Sequence, residues 1–173
     1  MDWNPCLPLV NRRVGERDPS KRHGKPKEAN RDVWPSSFPL AVHRSPATPP
    51  TGREVCLLVG YAPDGRPTPA LAGLLDAFAA EGIDCYVCLA LNSFTTALDM
   101  TALAAAAAVF GRANGGYDFA IWASVLNAYP EVWEASRLIF VNDSIIGPNG
   151  NFREIMRRLR ASPADFIALT ESY

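Results

Sequence analysis

The chain has 173 residues, of which 48% are hydrophobic and 20% charged, a composition typical of one globular domain. Its apolar runs stay below the ~18 residues of a membrane-spanning helix, and its first residues lack the pattern of a secretory leader. We therefore expect a cytoplasmic protein rather than an integral membrane protein.

The net charge of −1 conceals two unequal parts. Residues 1–53 hold ten Lys or Arg against five Asp or Glu, and they contain nine of the fifteen prolines. We predict that 1–53 form an irregular, basic, proline-rich extension, and that 54–173 form the folded domain. A solvated tail is the simpler interpretation of the extension, and peripheral contact with the anionic inner face of the cell membrane is the alternative. No nucleic-acid partner is expected.

The first half of the domain shows two strands around one helix. Residues 55–61 and 83–91 are almost continuous apolar runs, typical of strands buried on both faces. Between them, Thr68 and Pro69 start a helix as cap and first residue, and Gly82 ends it. This helix has one apolar face, which consists of Leu71, Leu74, Leu75 and Phe78.

The second half continues the alternation. A helix is predicted from Thr96 through an alanine-rich run, leading into a short third strand near 107–110. Asp118 starts the next helix, which ends before Pro130. A strand at 138–141, a helix from about 150 to 162 and a fifth strand at 165–169 complete the prediction. This order predicts an α/β fold, a mostly parallel Rossmann-like sheet with flanking helices.

Two groups of residues resemble sites but have simpler interpretations. Cys85 and Cys88 form a C-x-x-C pattern, but residues three apart on a strand point to opposite faces, so we expect buried, reduced thiols. Four arginines of the last helix suggest either a phosphate-binding patch or, as we favour, a solvated helix face: Arg153, Arg157, Arg158 and Arg160.

The strand at 138–141 ends in three polar residues, Asn142, Asp143 and Ser144. A carboxylate after an apolar strand must be solvated, capped or paired, because burying it alone is costly. Asp143 is therefore a candidate ligand of Mg²⁺ or Mn²⁺, which prefer carboxylate oxygen, with Asn142 and Ser144 beside it. The alternative is that Asp143 only caps the following turn.

A second candidate segment is 112–118. Gly115 and Gly116 allow a ligand to approach the backbone closely, and Asn114 offers an amide to a base or ribose. Asp118 is suited to cap a helix or to accept a ribose hydroxyl. Arg112 is suited to pair with a diphosphate or with one of the two aspartates.

Three segments together resemble a known family. They are 112–119 (Arg-Ala-Asn-Gly-Gly-Tyr-Asp-Phe), 138–148 (Leu-Ile-Phe-Val-Asn-Asp-Ser-Ile-Ile-Gly-Pro) and 165–173 (Asp-Phe-Ile-Ala-Leu-Thr-Glu-Ser-Tyr). In this order and spacing they resemble the rhamnan-synthesis F family, whose members look like GT-A-type glycosyltransferases that build bacterial cell-surface polysaccharides. The resemblance begins at residue 55 and covers roughly two thirds of the chain.

The resemblance implies a glycosyltransferase, and more specifically a rhamnosyltransferase. Its expected donor is dTDP-rhamnose or a similar sugar nucleotide, and its expected acceptor is a polysaccharide or a lipid-linked glycan. The resemblance also implies a divalent cation on Asp143, and a nucleotide near Asn114, Gly116 and Asp118. The full set of predicted donor-binding residues is Arg112, Asn114, Gly115, Gly116, Tyr117, Asp118, Asn142 and Ser144. The domain would then be the nucleotide-sugar-binding half of a GT-A-like fold.

The sequence also departs from the family. Ala120 replaces a usual Gly, and Glu171 replaces a common Asp. Family members continue beyond the position of Tyr173, so we expect the acceptor and catalytic-base half to be missing, and no residue is assigned as base. The alternative function is therefore a catalytically incomplete remnant that binds a nucleotide sugar or a protein partner. An unrelated nucleotide-binding domain is disfavoured, because the first strand is followed by neither a G-x-G-x-x-G nor a P-loop pattern.

Overall fold

A computed structural model describes residues 39–115, 117–144 and 151–167. The strands are β1 (Ala41–Arg44), β2 (Glu54–Tyr61), β3 (Asp84–Leu91), β4 (Ala108–Ala113) and β5 (Arg137–Asn142). The helices are α1 (Pro69–Ala80), α2 (Tyr117–Ala128) and α3 (Phe152–Ala161), with a short 3-10 helix at Pro130–Glu134. No helix in these ranges is long and apolar enough to cross a membrane.

The five strands form one sheet in the order β1-β4-β3-β2-β5. Strands β2 to β5 pair in parallel, and β1 pairs with β4 antiparallel. The predicted α/β class with a mostly parallel, Rossmann-like sheet is confirmed. From β2 the sheet first grows through β3 to β4, and then the chain crosses back to place β5 on the other side of β2. The strand order therefore reverses between β2 and β5, which is where ligands bind in sheets of this kind.

Each face of the sheet has its own apolar core. On one face α1 and α3 pack with the segment that connects β3 to β4, around the buried residues Leu71, Leu75, Leu103 and Met156. On the other face α2 and the 3-10 helix pack around Phe110, Ile121, Val125 and Val132. The helices thus lie on both faces, as right-handed crossovers between parallel strands require.

Helix α1 follows the sequence prediction closely. The Thr68 hydroxyl accepts the N–H of Leu71 at 3.2 Å, so it caps the helix, and Pro69 occupies the first helical position. The four predicted apolar residues are its buried ones. Gly82 follows the helix with a φ of +75°, a conformation that glycine adopts without strain.

The helix predicted from Thr96 is wrong, because this segment forms turns instead. The Asp99 carboxylate accepts the N–H groups of Thr101 and Ala102, each at 3.1 Å, and so competes with helical bonding. The Arg44 guanidinium then donates to three carbonyl oxygens of the segment, those of Leu103, Ala104 and Ala106. Tertiary contacts override the helical preference of alanine here.

The prediction of an irregular segment up to residue 53 is wrong at β1. Residues Ala41–Arg44 form a short strand that pairs with β4, with a register shift between Val42 and Arg44. This pairing is long-range, so the local sequence pattern does not show it. The remainder of the predicted extension, residues 1–38, lies outside the described residues.

The predicted fifth strand at 165–169 is not observed where the structure describes it. Residues 165–167 lie outside any strand, and residues 168 and 169 are outside the described ranges. The apolar triplet Phe166, Ile167 and Ala168 suggested a strand, but a run this short does not by itself specify pairing.

The two simpler interpretations of cysteines and arginines agree with the structure. Cys85 and Cys88 are buried free thiols in the cores of opposite faces, and burial raises the pKa of the Cys88 thiol to about 12. Each of the four arginines of α3 lies within ion-pair distance of a carboxylate, on Glu54, Glu81 or Glu154. Their charge is therefore largely neutralised within the protein.

Candidate functional site

The Asp143 carboxylate lies at the strand-order reversal between β2 and β5. Its backbone N–H donates to the Val59 carbonyl at 3.0 Å, which extends the β2–β5 pairing one residue beyond β5. The Thr68 hydroxyl, at the start of α1, donates to the carboxylate at 3.4 Å. The side chain is thus held between the end of β2 and the first turn of α1.

Gly60 makes room for this carboxylate. A Cβ atom at position 60 would lie 2.8 Å from the Asp143 Oδ2 and 2.4 Å from the Leu71 Cδ1. Both distances are too short for real contacts, so any side chain at position 60 would require the side chains of Leu71 and Asp143 to shift. A glycine inside a strand often marks such a close approach, and this was the sequence signal that the motif analysis missed.

The surroundings of Asp143 disfavour its negative charge. Burial is the largest effect, and it raises the pKa of this carboxyl above its ordinary value of 3.8. Hydrogen bonds from the Tyr61 backbone and the Thr68 hydroxyl oppose the shift, whereas the charge of Asp118 raises the pKa further. The two aspartates are therefore near enough to repel each other, and a cation between them would relieve that repulsion.

Asp118 and Asn142 are joined directly. The Asn142 Nδ2 donates to the Asp118 Oδ2 at 2.6 Å, which links the end of β5 to the first turn of α2. Asn142 thus faces α2, while its neighbour Asp143 faces α1, as alternation along a strand requires. The first turns of α1 and α2 thus lie on either side of the end of β5.

Arg112 lies inside the protein rather than at the surface of the crevice. It is only 1% exposed, and its guanidinium donates to the carbonyls of Gly115 and Ala120 at 2.9 and 2.6 Å and to the Ser124 hydroxyl at 2.8 Å. Burial lowers the pKa of this group, and the nearby Cys88 opposes that shift. Arg112 therefore holds the loop that follows β4 against α2, a role that its sequence position did not reveal.

The other predicted residues lie around this loop. Asn114 is exposed and its backbone N–H donates to the Leu91 carbonyl at 2.9 Å, whereas Gly116 lies outside the described residues. Tyr117 is 88% exposed and has a φ of +56°, a left-handed conformation that is unusual for an aromatic residue. Such strain is retained where the surroundings impose it, often at binding sites. Ser144 is exposed beside Asp143.

Tyr61 joins the site without having been predicted. It is the last residue of β2, half-exposed, and its hydroxyl donates to the Asn92 side chain at 2.9 Å, which places its ring across the ends of β2 and β3. The sequence signal was an aromatic residue directly after Gly60 at the end of a buried strand. An oriented, half-exposed ring beside the crevice provides a wall on which a flat ligand can stack.

If a divalent cation binds here, Asp143 and Asp118 are the residues that would hold it. Within the described residues no group of three or more His, Cys, Asp or Glu side chains is arranged to hold a metal. The carboxylates of Asp118 and Asp143 supply two acidic groups, and hard cations such as Mg²⁺ complete their coordination with water and substrate phosphate. A cation at this site would therefore need oxygen atoms of the bound ligand to complete its coordination.

No family model, curated protein or solved structure matches this chain. Its function is therefore inferred from the site itself. The described residues there combine a cradled carboxylate, a carboxylate–amide pair, two helix N-termini and an exposed aromatic ring. This set is suited to bind a phosphorylated, hydroxyl-rich ligand rather than to attack one covalently.

Proposed function

We propose that this chain binds a nucleotide-diphosphate sugar and is the donor-binding part of a GT-A-like glycosyltransferase related to the rhamnan-synthesis F family. One observation carries the proposal: the Asp143 carboxylate lies against Gly60 at the strand-order reversal, beside the hydrogen-bonded Asp118 and Asn142. Sheets of this class bind nucleotides at that position.

Each group then has a distinct task. Asp143 holds the divalent cation, Mn²⁺ or Mg²⁺, which when bound neutralises the diphosphate as it leaves. Asp118 and Asn142 bind ribose or sugar hydroxyls, and Tyr61 offers its ring to the base.

Arg112 acts indirectly in this scheme. Its guanidinium fixes the carbonyls of Gly115 and Ala120, and so it positions the start of α2 and the Asp118 carboxylate. Gly115 and Gly116 would give the ligand close access to the backbone, and Asn114, Tyr117 and Ser144 are the remaining proposed donor-binding residues. The proposed donor is dTDP-rhamnose or a similar sugar nucleotide, and the proposed product is a cell-envelope polysaccharide.

The proposal is tested by calorimetric titration of dTDP-rhamnose in the presence of manganese. Asp143→Asn removes the charge with little change of shape, and we expect it to weaken binding by at least about tenfold, the effect of one charge-assisted contact. Asp165→Asn is the matched control, because Asp165 is an exposed aspartate with no place in the site. Equal affinities of wild type and Asp143→Asn would remove Asp143 from the site and with it the proposed mechanism.

A further inference from the structure

Three aromatic rings form a continuous surface where α2 meets β5. The Phe119 and Trp122 ring centroids are 5.3 Å apart, those of Trp122 and Phe140 are 5.4 Å apart, and both pairs meet edge to face. The Trp122 indole N–H donates to the Leu57 carbonyl at 3.0 Å, which fixes the central ring. The outer two rings are 74% and 40% exposed, so the described residues leave part of this apolar surface uncovered.

The aromatic surface adjoins the polar pair of Asp118 and Asn142. On α2, Trp122 follows Asp118 by four residues, which places it one helical turn below on the same side. On β5, Phe140 precedes Asn142 by two residues and lies on the same face. Helix α2 and strand β5 are therefore in contact at two successive levels, through the Asp118–Asn142 hydrogen bond and through the Trp122–Phe140 ring contact.

This combination suits a pyranose ring. A sugar ring has an apolar face of C–H groups, which packs on exposed aromatic rings, and a rim of hydroxyls. The Asp118 carboxylate accepts hydrogen bonds and the Asn142 amide both donates and accepts them, so the pair suits hydroxyls of that rim. The fixed indole lowers the entropy lost on binding, because the surface is already ordered.

We propose that Phe119, Trp122 and Phe140 bind one pyranose ring of the acceptor glycan, with the Asp118–Asn142 pair at the border between this ring and the donor. This would place one acceptor contact within the chain, in contrast to the sequence-based expectation that the acceptor half is missing. Among the described strands β5 is paired with β2 alone, so this surface lies at the edge of the described sheet. The term acceptor rests on the function proposed above, whereas binding of a sugar ring does not. The crevice at Asp143 lies on the α1 side of the same strand, so donor and acceptor would meet at the end of β5.

The test uses methyl α-L-rhamnopyranoside, whose C6 methyl group enlarges the apolar face. Binding is followed by NMR through the indole N–H of Trp122. We expect Phe119→Ala to weaken binding by about tenfold, the effect of one aromatic contact, and Phe119→Leu to weaken it as well, because leucine keeps an apolar side chain but lacks the flat ring. Trp133→Ala is the matched control, since Trp133 is an exposed aromatic residue on the 3-10 helix and should leave the affinity unchanged.

A second titration with dTDP-rhamnose and manganese separates the two proposals. Phe119→Ala should bind this donor within about twofold of wild type while it loses the methyl glycoside. Glycoside binding without donor binding would leave the sugar surface standing and overturn the nucleotide-sugar function. The surface proposal is overturned if the wild type does not bind the glycoside, if Phe119→Ala binds it as well as the wild type, or if only the intact donor shifts the Trp122 signal.

Discussion

At the scale of single residues, Asp143 is placed where its charge is disfavoured. Burial, the largest effect, and the neighbouring Asp118 both raise its pKa, while hydrogen bonds from the Tyr61 backbone, the Thr68 hydroxyl and the backbone of Asp143 itself oppose them. A carboxylate in such a position lowers the stability of the empty protein and gains a partner when a cation binds. Residues of this kind are common at functional sites, where stability and function compete.

The pH dependence of unfolding tests this description of Asp143. Its folded pKa lies above the unfolded value of 3.8, so the native state binds the proton more tightly than the unfolded chain does. As pH rises through the folded pKa, stability is lost, and below 3.8 the penalty is absent. We therefore expect Asp143→Asn to be more stable than wild type at about pH 7, and the difference to shrink toward about pH 4.

Urea unfolding of both proteins at the two pH values measures this difference. The description fails if Asp143→Asn is destabilised to the same extent at both, because the side chain would then contribute favourable hydrogen bonds rather than an unfavourable charge.

Several residues of the candidate site could be predicted from the sequence, because its pattern shows where the strands end and where the helices begin. Asn142 and Asp143 follow an apolar run and Asp118 starts a helix, so parallel topology brings them to one edge of the sheet. The role of Arg112 was not predictable, since nothing local shows that its guanidinium is buried among carbonyl oxygens. Gly60 was overlooked for a related reason, because the residue that occupies its space lies 83 positions away along the chain.

At the scale of elements, β2, β5 and α1 meet at Gly60. Because a Cβ there would overlap Leu71 on α1 and Asp143 after β5, we expect Gly60→Ala to destabilise the fold by about 1–3 kcal/mol, the usual effect of overpacking. We also expect it to weaken nucleotide-sugar binding, because Asp143 must move. Urea unfolding and calorimetry measure the two effects.

Gly73→Ala is the matched control. Gly73 is exposed on α1, and a Cβ there meets nothing within 4 Å, so alanine should stabilise the helix by about 0.5–1 kcal/mol. Equal stability of the two alanine variants would show that a glycine at position 60 is not needed to make room for the Asp143 side chain.

The elements that the sequence predicted well are those whose signals are local. Strands β2 and β3 are continuous apolar runs, and α1 has a Thr cap, a first-turn proline and a terminal glycine. The alanine-rich segment before β4 was mispredicted because Asp99 and Arg44 bind its backbone. Strand β1 was missed because it is short and its partner β4 is distant along the chain.

At the scale of the whole molecule, the fold places the site. The chain forms β2, β3 and β4 in order across the sheet and then crosses back to place β5 beside β2. The ends of β2 and β5 therefore lie between α1 on one face of the sheet and α2 on the other. Of the residues proposed to bind the donor, Tyr61, Asp118, Asn142 and Asp143 lie at or beside these strand ends, whereas Asn114 and Gly115 follow β4. The α/β class was predictable from alternating apolar runs, whereas β5 as the sheet edge depends on strand order, which the runs do not encode.

The measurement that tests the central claim most directly is a thermal-shift titration of the chain with dTDP-rhamnose, UDP-sugars and GDP-sugars, each with and without manganese. A ligand at about 100 times its dissociation constant stabilises the native state by about 2.7 kcal/mol, which is readily seen as a rise in Tm. We predict a manganese-dependent rise with at least one nucleotide sugar. A cooperative melt that no nucleotide sugar shifts, with or without the metal, would contradict the proposed donor site.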